Sequence, residues 1–152
     1  AVEGPAMAQL LTQVVLKYIE GNVLLRTGND AIQRHENLLD SIKSYIDRNF
    51  YEPIRLDTLA TKFNVSPYYV SHEFKRRYGY SPMDYLIKRR LGEAQSLLTT
   101  DKGGREKITS IAYRVGFSNL SHFQNYFKNK VGKTPGQYRK DYRKANYLLF
   151  EY

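Results

Sequence analysis

The chain has 152 residues and no cysteine, and its 24 lysine and arginine residues against 15 aspartate and glutamate residues give a formal net charge of +9. The lack of cysteine excludes disulfide scaffolds, cysteine-ligated zinc and thiol catalysis. No apolar run approaches the roughly 18 residues of a membrane-spanning helix, and the start lacks a signal-peptide pattern. The charge suits nucleic acid or an anionic membrane surface as partner, and a reducing cytoplasmic location is expected.

Residues 1–36 form a separate, slightly acidic segment. They contain three basic and four acidic residues, so the remaining residues carry a formal charge of +10. Apolar residues at helical spacing predict a helix over residues 7–19. We consider two roles for it, a linker or dimerisation helix that would form a homodimer and a helix that packs on its own chain. Since the chain opens at Ala1 rather than at methionine, it is expected to be part of a longer protein.

Helical spacing of apolar residues continues along the rest of the chain. A stripe from Leu38 to Phe50 predicts a helix that Pro53 stops, and serine–proline pairs predict the starts of two later helices. The predicted helices cover residues 30–49, 57–63, 67–78, 81–98, 108–114, 119–131 and 135–142. No strand alternation occurs outside an ambiguous apolar stretch at residues 147–152, so the fold class is all-α.

These helices group into two helix-turn-helix subdomains joined by a long strut helix, a homeodomain-like arrangement. The predicted boundaries are an N-terminal helical segment at 1–36, the first subdomain at 37–80, the connecting helix at 81–100, the second subdomain at 101–143 and an apolar tail at 144–152. Polar residues and a glycine pair predict a loop over residues 99–107. On the strut, Met83, Ile87 and Leu91 continue an apolar stripe, and Arg89 and Arg90 are interpreted as its solvated face.

The two subdomains are near copies of each other, 52 to 53 residues apart. Leu59, Ala60, Phe63 and Ser66 recur as Ile111, Ala112, Val115 and Ser118, and Phe74, Gly79 and Pro82 recur as Phe127, Gly132 and Pro135. The change of offset predicts one extra residue near the turn of the second copy. Two similar helical units in a basic chain suggest that one protein molecule binds one polymer at two sites.

One helix of each unit is expected to enter DNA, because a major groove admits a single helix that a scaffold helix must hold in place. Small residues at the crossing, Ala60 and Ala112, allow close packing. The side chains expected to face inward are Val70, Phe74, Tyr78, Phe123, Phe127 and Val131. The base-reading candidates on the opposite face are Tyr68, Ser71, His72, Ser121, Gln124 and Asn125. The phosphate-contact candidates nearer the helix ends are Lys75, Arg76, Arg77, Lys128 and Lys130.

A family resemblance rests on two stretches, residues 54–98 and 108–139, of which the second carries GFSNLSHF and FKNKVGKTPGQYR. They resemble the twin helix-turn-helix DNA-binding domain of the AraC/XylS family of bacterial transcription regulators. The resemblance implies an activator whose two recognition helices lie in successive major-groove segments of a site of about 20 base pairs. It also implies RNA polymerase as a partner and an N-terminal sensor domain for a small-molecule effector. The loop at 101–107 is longer than usual in the family.

By this resemblance, the base contacts map to Tyr68, Ser71, His72, Ser121 and Asn125. His72 and Asn125 depart from the family pattern, in which arginine is common at both places. Because the outward-facing residues differ between the two units, the site of one chain is predicted to be non-palindromic. Two alternatives to base reading stay open. Tyr68 packs on its own scaffold helix in the first, and Ser71 and Gln124 are only solvated in the second.

Other classes of function are less well supported by the sequence. An enzyme is not expected, because the chain has no glycine-rich phosphate loop after a strand, no recognisable histidine–nucleophile pair and no carboxylate cluster. No metal or cofactor is expected, since His35, His72 and His122 lack the short spacing of a zinc site. The alternative to a DNA-binding regulator is a helical protein-interaction module that acts as an antagonist or adaptor without reading bases.

Overall fold

The computed structural model describes residues 36–100 and 105–149, with side chains as far as residue 145. The chain divides into two compact regions, Ala1–Asp40 and Ser41–Tyr152, and both helix-turn-helix units lie in the second region. Of the first region only residues 36–40 are described, and they are helical. The helix predicted at residues 7–19 and the hypothesis of dimerisation through residues 1–36 therefore concern a segment almost wholly outside the described residues.

Seven helices and no strand make up the described residues, so the all-α fold class is confirmed. They are α1 (residues 36–49), α2 (Leu56–Lys62), α3 (Pro67–Tyr78), α4 (Pro82–Thr100), α5 (Ile108–Arg114), α6 (Leu120–Val131) and α7 (Pro135–Leu149). Over the described ranges, no helix has the length and apolar character needed to cross a membrane.

Two helices run further than the spacing of apolar residues predicts. Helix α4 continues past Leu98 to Thr100, the boundary given above for the connecting helix, so the expected loop does not begin at Thr99; the hydroxyls of both threonines donate to the Ser96 carbonyl at 2.9 Å. The last helix does not end near Tyr142, and α7 reaches Leu149. Nothing between these residues stops a helix, since the stretch has no glycine or proline and is rich in good helix formers. Much of the predicted apolar tail is therefore helical.

The extra residue of the second copy lies at its turn, as the offset of the repeat predicts. Each turn contains one left-handed residue, Asn64 with φ 53° in the first unit and Gly116 with φ 91° in the second. In the first unit Ser66 caps α3, whereas in the second unit Ser118 is followed by Asn119, which caps α6. From these caps onward the two recognition helices have the same length and the same register.

The long helix α4 is shared by the two helix-turn-helix units, because it contacts α3, α5 and α7. Its first half buries Tyr85 and Leu86 and its second half buries Leu91, Ala94 and Leu98. The second-unit core consists of Leu91, Ala94, Leu98, Ile111, Ala112, Val115, Phe117, Phe123 and Phe127. The strut helix predicted from the sequence is thus a structural part of both units.

Candidate nucleic-acid interface

The two recognition helices, α3 and α6, begin and end in the same way. The Ser66 Oγ accepts the Tyr69 N–H at 3.1 Å, and the Asn119 Oδ1 accepts the His122 N–H at 3.1 Å. Each helix then runs for 12 residues and closes on a left-handed glycine, which needs no side chain at that positive φ. Equivalent residues in α3 and α6 are therefore 53 apart, and Tyr68 corresponds to Ser121.

The inward face of each helix is anchored by fully buried side chains. Val70 and Phe74 on α3 are 0% exposed, as are Phe123 and Phe127 on α6. Tyr78 and Val131, also expected to face inward, are half-buried at the helix ends. The inward residues fix the rotation of each helix about its axis. At about 100° per residue, Tyr68 and His72 lie about 140° and 180° from the midline of Val70 and Phe74, so they point outward, and the equivalent residues of α6 do the same.

On α3 the outward face carries a stacked aromatic pair. Tyr68 is 76% exposed, so it does not pack on its scaffold helix, and its ring lies 5.5 Å from the His72 ring at an interplanar angle of 16°. The His72 Nδ1 lies 3.0 Å from the Glu73 Oε1. A carboxylate accepts hydrogen bonds, so the neutral ring makes this contact as the tautomer with its proton on Nδ1, which has Nε2 as an acceptor. Ser71, next to this pair, is half-buried.

Glu73 also binds Arg76, one of the phosphate-contact candidates. The Glu73 Oε2 is paired with the Arg76 guanidinium, and the Glu73 side chain is only 14% exposed. One carboxylate therefore orients both His72 and Arg76. The guanidinium has five N–H donors, so pairing with Glu73 leaves Arg76 with donors for a phosphate oxygen.

On α6 the outward face carries small and amide side chains instead of rings. Ser121, Gln124 and Asn125 are all exposed, and they follow the same spacing as Tyr68, Ser71 and His72 on α3. An amide presents a donor and an acceptor together, which is the pattern that pairs with the N6 and N7 atoms of adenine. The structure therefore brings the six base-reading candidates onto two matching faces with different chemistry.

The five cationic candidates do not share one side of their helices. At 3.6 residues per turn, Lys75 and Lys128 lie within about 20° of the outward face, and Arg76 lies about 80° to one side. Arg77 and Lys130 are about 180° from Tyr68 and Ser121. The Arg77 guanidinium instead lies 5.6 Å from the centroid of the Tyr78 ring. Lys75, Arg76 and Lys128 are thus the cations that accompany the base-reading candidates.

Lys130 lines a cleft of about 610 Å³ between α4 and α6. The cleft is also lined by Tyr80, Ile87, Lys88, Leu91 and Tyr126. Tyr126 is 44% exposed, and Ile87 is half-buried. This surface is separate from the two outward faces.

Arg90 is the residue that sequence reasoning placed wrongly. The sequence predicts a solvated side chain, but Arg90 is 7% exposed and donates hydrogen bonds to the backbone carbonyls of Phe50 and Glu52. Its position four residues from both Leu86 and Ala94, which are buried, was the available signal. A charged side chain at such a position on the apolar stripe indicates a buried polar contact that the rest of the fold must complete.

A polar cluster around Asp47 joins α1 to the first half of α4. The Tyr85 hydroxyl donates to the Asp47 Oδ1 at 2.6 Å, Arg89 Nε lies 2.8 Å from the same oxygen, and Lys43 Nζ lies 3.2 Å from Oδ2. Burial by itself raises the pKa of Asp47, but the hydrogen bonds from Tyr85 and Lys43 outweigh it, so that pKa lies below its ordinary value. Asp47 is therefore ionised at neutral pH and binds both neighbouring cations.

The fold and the two outward faces define a twin helix-turn-helix domain. A family model described as a helix-turn-helix domain matches residues 59–141. The uncharacterized HTH-type transcriptional regulator YdiP from Escherichia coli K12 is 37% identical over 132 residues, which are 87% of this chain and 42% of that protein.

Two solved structures are also similar. A probable AraC family transcriptional regulator from Rhodopseudomonas palustris is 31% identical with a TM-score of 0.62, covering 70% of this chain and 98% of that one. The DNA-binding domain of AdpA, a global transcriptional factor in complex with a target DNA, is 26% identical with a TM-score of 0.65, covering 70% and 94%. This chain belongs to the AraC family of helix-turn-helix transcription regulators. It spans 42% of the length of YdiP and between 41% and 56% of the length of several other curated relatives that it matches.

Proposed function

We propose that this chain binds double-stranded DNA in a sequence-specific manner by inserting α3 and α6 into successive major-groove segments. The observation that carries the proposal is the matched frame of the two helices, which have side-chain N-caps at equivalent positions, glycine C-caps, and the same length and register on one shared strut. Their inward faces hold the cores together, while their outward faces expose polar and aromatic groups. The two helices can therefore dock in two major-groove segments with the same geometry and contact different bases in each segment.

On the first half-site, Tyr68 and His72 are proposed to act as one stacked unit. The contact with Glu73 orients the His72 ring, and the neutral Nδ1–H tautomer of that ring accepts a hydrogen bond at Nε2 from a base amino group such as cytosine N4 or adenine N6. The exposed Tyr68 ring offers apolar contact to a thymine methyl group and a hydroxyl to a base edge or phosphate. Ser71 adds a hydroxyl beside this pair.

On the second half-site, Asn125 is proposed to bind adenine with both amide atoms, with Ser121 and Gln124 contacting neighbouring positions. Lys75, Arg76 and Lys128 are proposed to contact phosphates, because they lie on or beside the outward faces. Arg77 and Lys130 point away from those faces and contribute less to this interface. Since the two faces differ in chemistry, the proposed site is non-palindromic.

A second candidate function, protein binding without base readout, is favoured by the cleft between α4 and α6. Its lining combines the aromatic side chains Tyr80 and Tyr126 with Ile87, Leu91 and Lys130. A partner bound there would leave the outward faces of α3 and α6 uncovered. The two candidates therefore predict different dependence on salt and on the cationic residues.

The salt dependence of DNA binding tests the proposed function. With three phosphate-contacting cations, the slope of log K against log salt is expected to be about −2.7 or steeper on duplex DNA, because each contact contributes about −0.9. Lys128→Ala should make the slope shallower by about 0.9, measured by fluorescence anisotropy of a labelled duplex. Lys130→Ala is the matched control on the same helix and should change the slope little. Binding that ignored salt, or an equal effect of both variants, would contradict this interface.

The regulatory setting is also a proposal. We propose that the protein acts in the bacterial cytoplasm, where its DNA ligand would be found. The family resemblance favours activation of transcription through contact with RNA polymerase, and it does not favour enzyme activity of this domain. The matched relative YdiP is longer than this chain, so we propose that a sensor domain for a small-molecule effector accompanies the DNA-binding domain. Run-off transcription with and without the protein distinguishes activation from repression, since only activation raises transcript yield.

A further inference from the structure

Arg90 contacts both helix-turn-helix units from the middle of α4. Its Nε donates to the Phe50 carbonyl at 2.6 Å and an Nη donates to the Glu52 carbonyl at 2.7 Å. Both carbonyls belong to the segment between α1 and α2, in the first unit. On its other side the guanidinium carbon lies 5.7 Å from the centroid of the Phe117 ring, in the turn of the second unit. One buried side chain thus joins the two units.

The turn of the second unit lies directly against the same segment. A Cβ atom on Gly116 would come within 2.8 Å of the Tyr51 carbonyl oxygen and 2.9 Å of Arg90 Nε. The next residue, Phe117, packs edge-on against Phe123 of α6, with ring centroids 5.2 Å apart. Arg90 is therefore linked through Phe117 to α6, the recognition helix of the second unit. The close approach at Gly116 leaves little space for one unit to shift against the other.

The chemistry of the Arg90 contact is better suited to orienting the two units than to stabilising the fold. Within the described residues, the buried Arg90 charge meets carbonyl oxygens and a ring face but no carboxylate. Burial lowers the pKa of Arg90, the sign of a charge that is costly to desolvate. An unbranched apolar side chain would avoid that cost. What the guanidinium adds is a planar fork whose two donors fix the distance and angle to two carbonyls at once.

We infer that Arg90 is a positioning residue that sets the spacing and rotation between α3 and α6, and so the distance between the two half-sites that one chain accepts. This inference rests on the proposed function, in which both helices read DNA. One added base pair shifts a half-site by about 3.4 Å and rotates it by about 35°. A pair of helices joined rigidly at Arg90 cannot follow that change, whereas a loosely joined pair can.

The test measures the Kd for duplexes with one base pair inserted or deleted between the half-sites, starting from a site that the wild-type chain selects. Wild type is expected to lose at least about tenfold in affinity for either change, as for a lost base contact. Arg90→Met should bind the duplex with the original spacing less tightly than wild type does. Its Kd values for the altered spacings should exceed its Kd for the original spacing by only about threefold or less. Arg89→Met is the matched control and should keep the wild-type ratio, because Arg89 pairs with Asp47 in the first unit.

Each outcome decides the matter. If Arg90→Met lowered stability but kept the wild-type ratio between spacings, Arg90 would be merely structural and the inference would be overturned. Arg90→Lys gives the same readout if the methionine variant does not fold, because one ammonium cannot reproduce the two-donor fork. Equal binding of all spacings by wild type would overturn the inference but leave DNA binding intact. No preference of wild type for either half-site over random duplex would instead contradict the proposed function.

Discussion

Phe127→Ala is expected to lower the free energy of unfolding of the second unit by about 3–5 kcal/mol, because it leaves a cavity in a closed core. Phe127 is 0% exposed and makes edge contacts with Phe123 and with Tyr138 of α7, each with ring centroids 5.6 Å apart. The side chain therefore joins α6 to α7 as well as filling the core. Since small domains are stable by only about 5–15 kcal/mol, this loss leaves the recognition helix poorly held.

Urea unfolding followed by circular dichroism measures this change through the midpoint and slope of the transition. Asn129→Ala, at an exposed position on the same helix, is the control and should change stability by no more than about 0.5 kcal/mol. A Phe127→Ala variant that kept its stability and lost only DNA binding would show that Phe127 is not a core residue.

Asn125→Ala is expected to weaken binding to the specific site by about 1–3 kcal/mol and to relax selectivity at one base pair. The exposed amide is the group on α6 best suited to pair with adenine, and alanine removes both its donor and its acceptor. Binding to random duplex should change much less, because phosphate contacts remain. The measurement is a set of Kd values for the selected site and for its three substitutions at each base pair of the second half-site.

Lys128→Ala provides the comparison for Asn125→Ala, since both residues lie on the outward face of α6. Removing the lysine should weaken all of these duplexes by a similar factor and leave the order of preference unchanged. If Asn125→Ala behaved in the same uniform way, or had no effect, α6 would not read a base at Asn125.

The helix frame was predictable because its signals are local. Ser66 and Pro67 mark the start of α3, and Gly79 and Gly132 mark the ends of the two recognition helices. The change of the repeat offset from 52 to 53 residues locates the extra residue in the turn of the second unit. The inward faces followed from helical spacing, and Phe74 and Phe127 are buried as that spacing predicts. Periodicity and capping carry this information because each acts within one or two turns of helix.

Most of what could not be predicted depends on contacts between distant parts of the chain. The carbonyls that bind Arg90 belong to residues 38 and 40 positions earlier, so no local pattern reveals that its charge is satisfied. The partner of Tyr85 and Arg89, Asp47, is equally remote in sequence. Lys128 and Lys130 share one predicted role because both lie near the helix end, although the helical rotation between them separates their directions, and the phosphate contact of Lys130 stays a prediction. The end of α7 was missed because no stop signal marks it.

Selection of bound sequences from random duplex DNA tests most directly whether one chain reads two different half-sites through α3 and α6. The expected result is a non-palindromic consensus of about 20 base pairs with two information-rich blocks about one helical turn apart. Asn125→Ala should lose information in one block only, and His72→Ala in the other. A palindromic consensus, a single block affected by both substitutions, or no enrichment over random sequence would contradict the account.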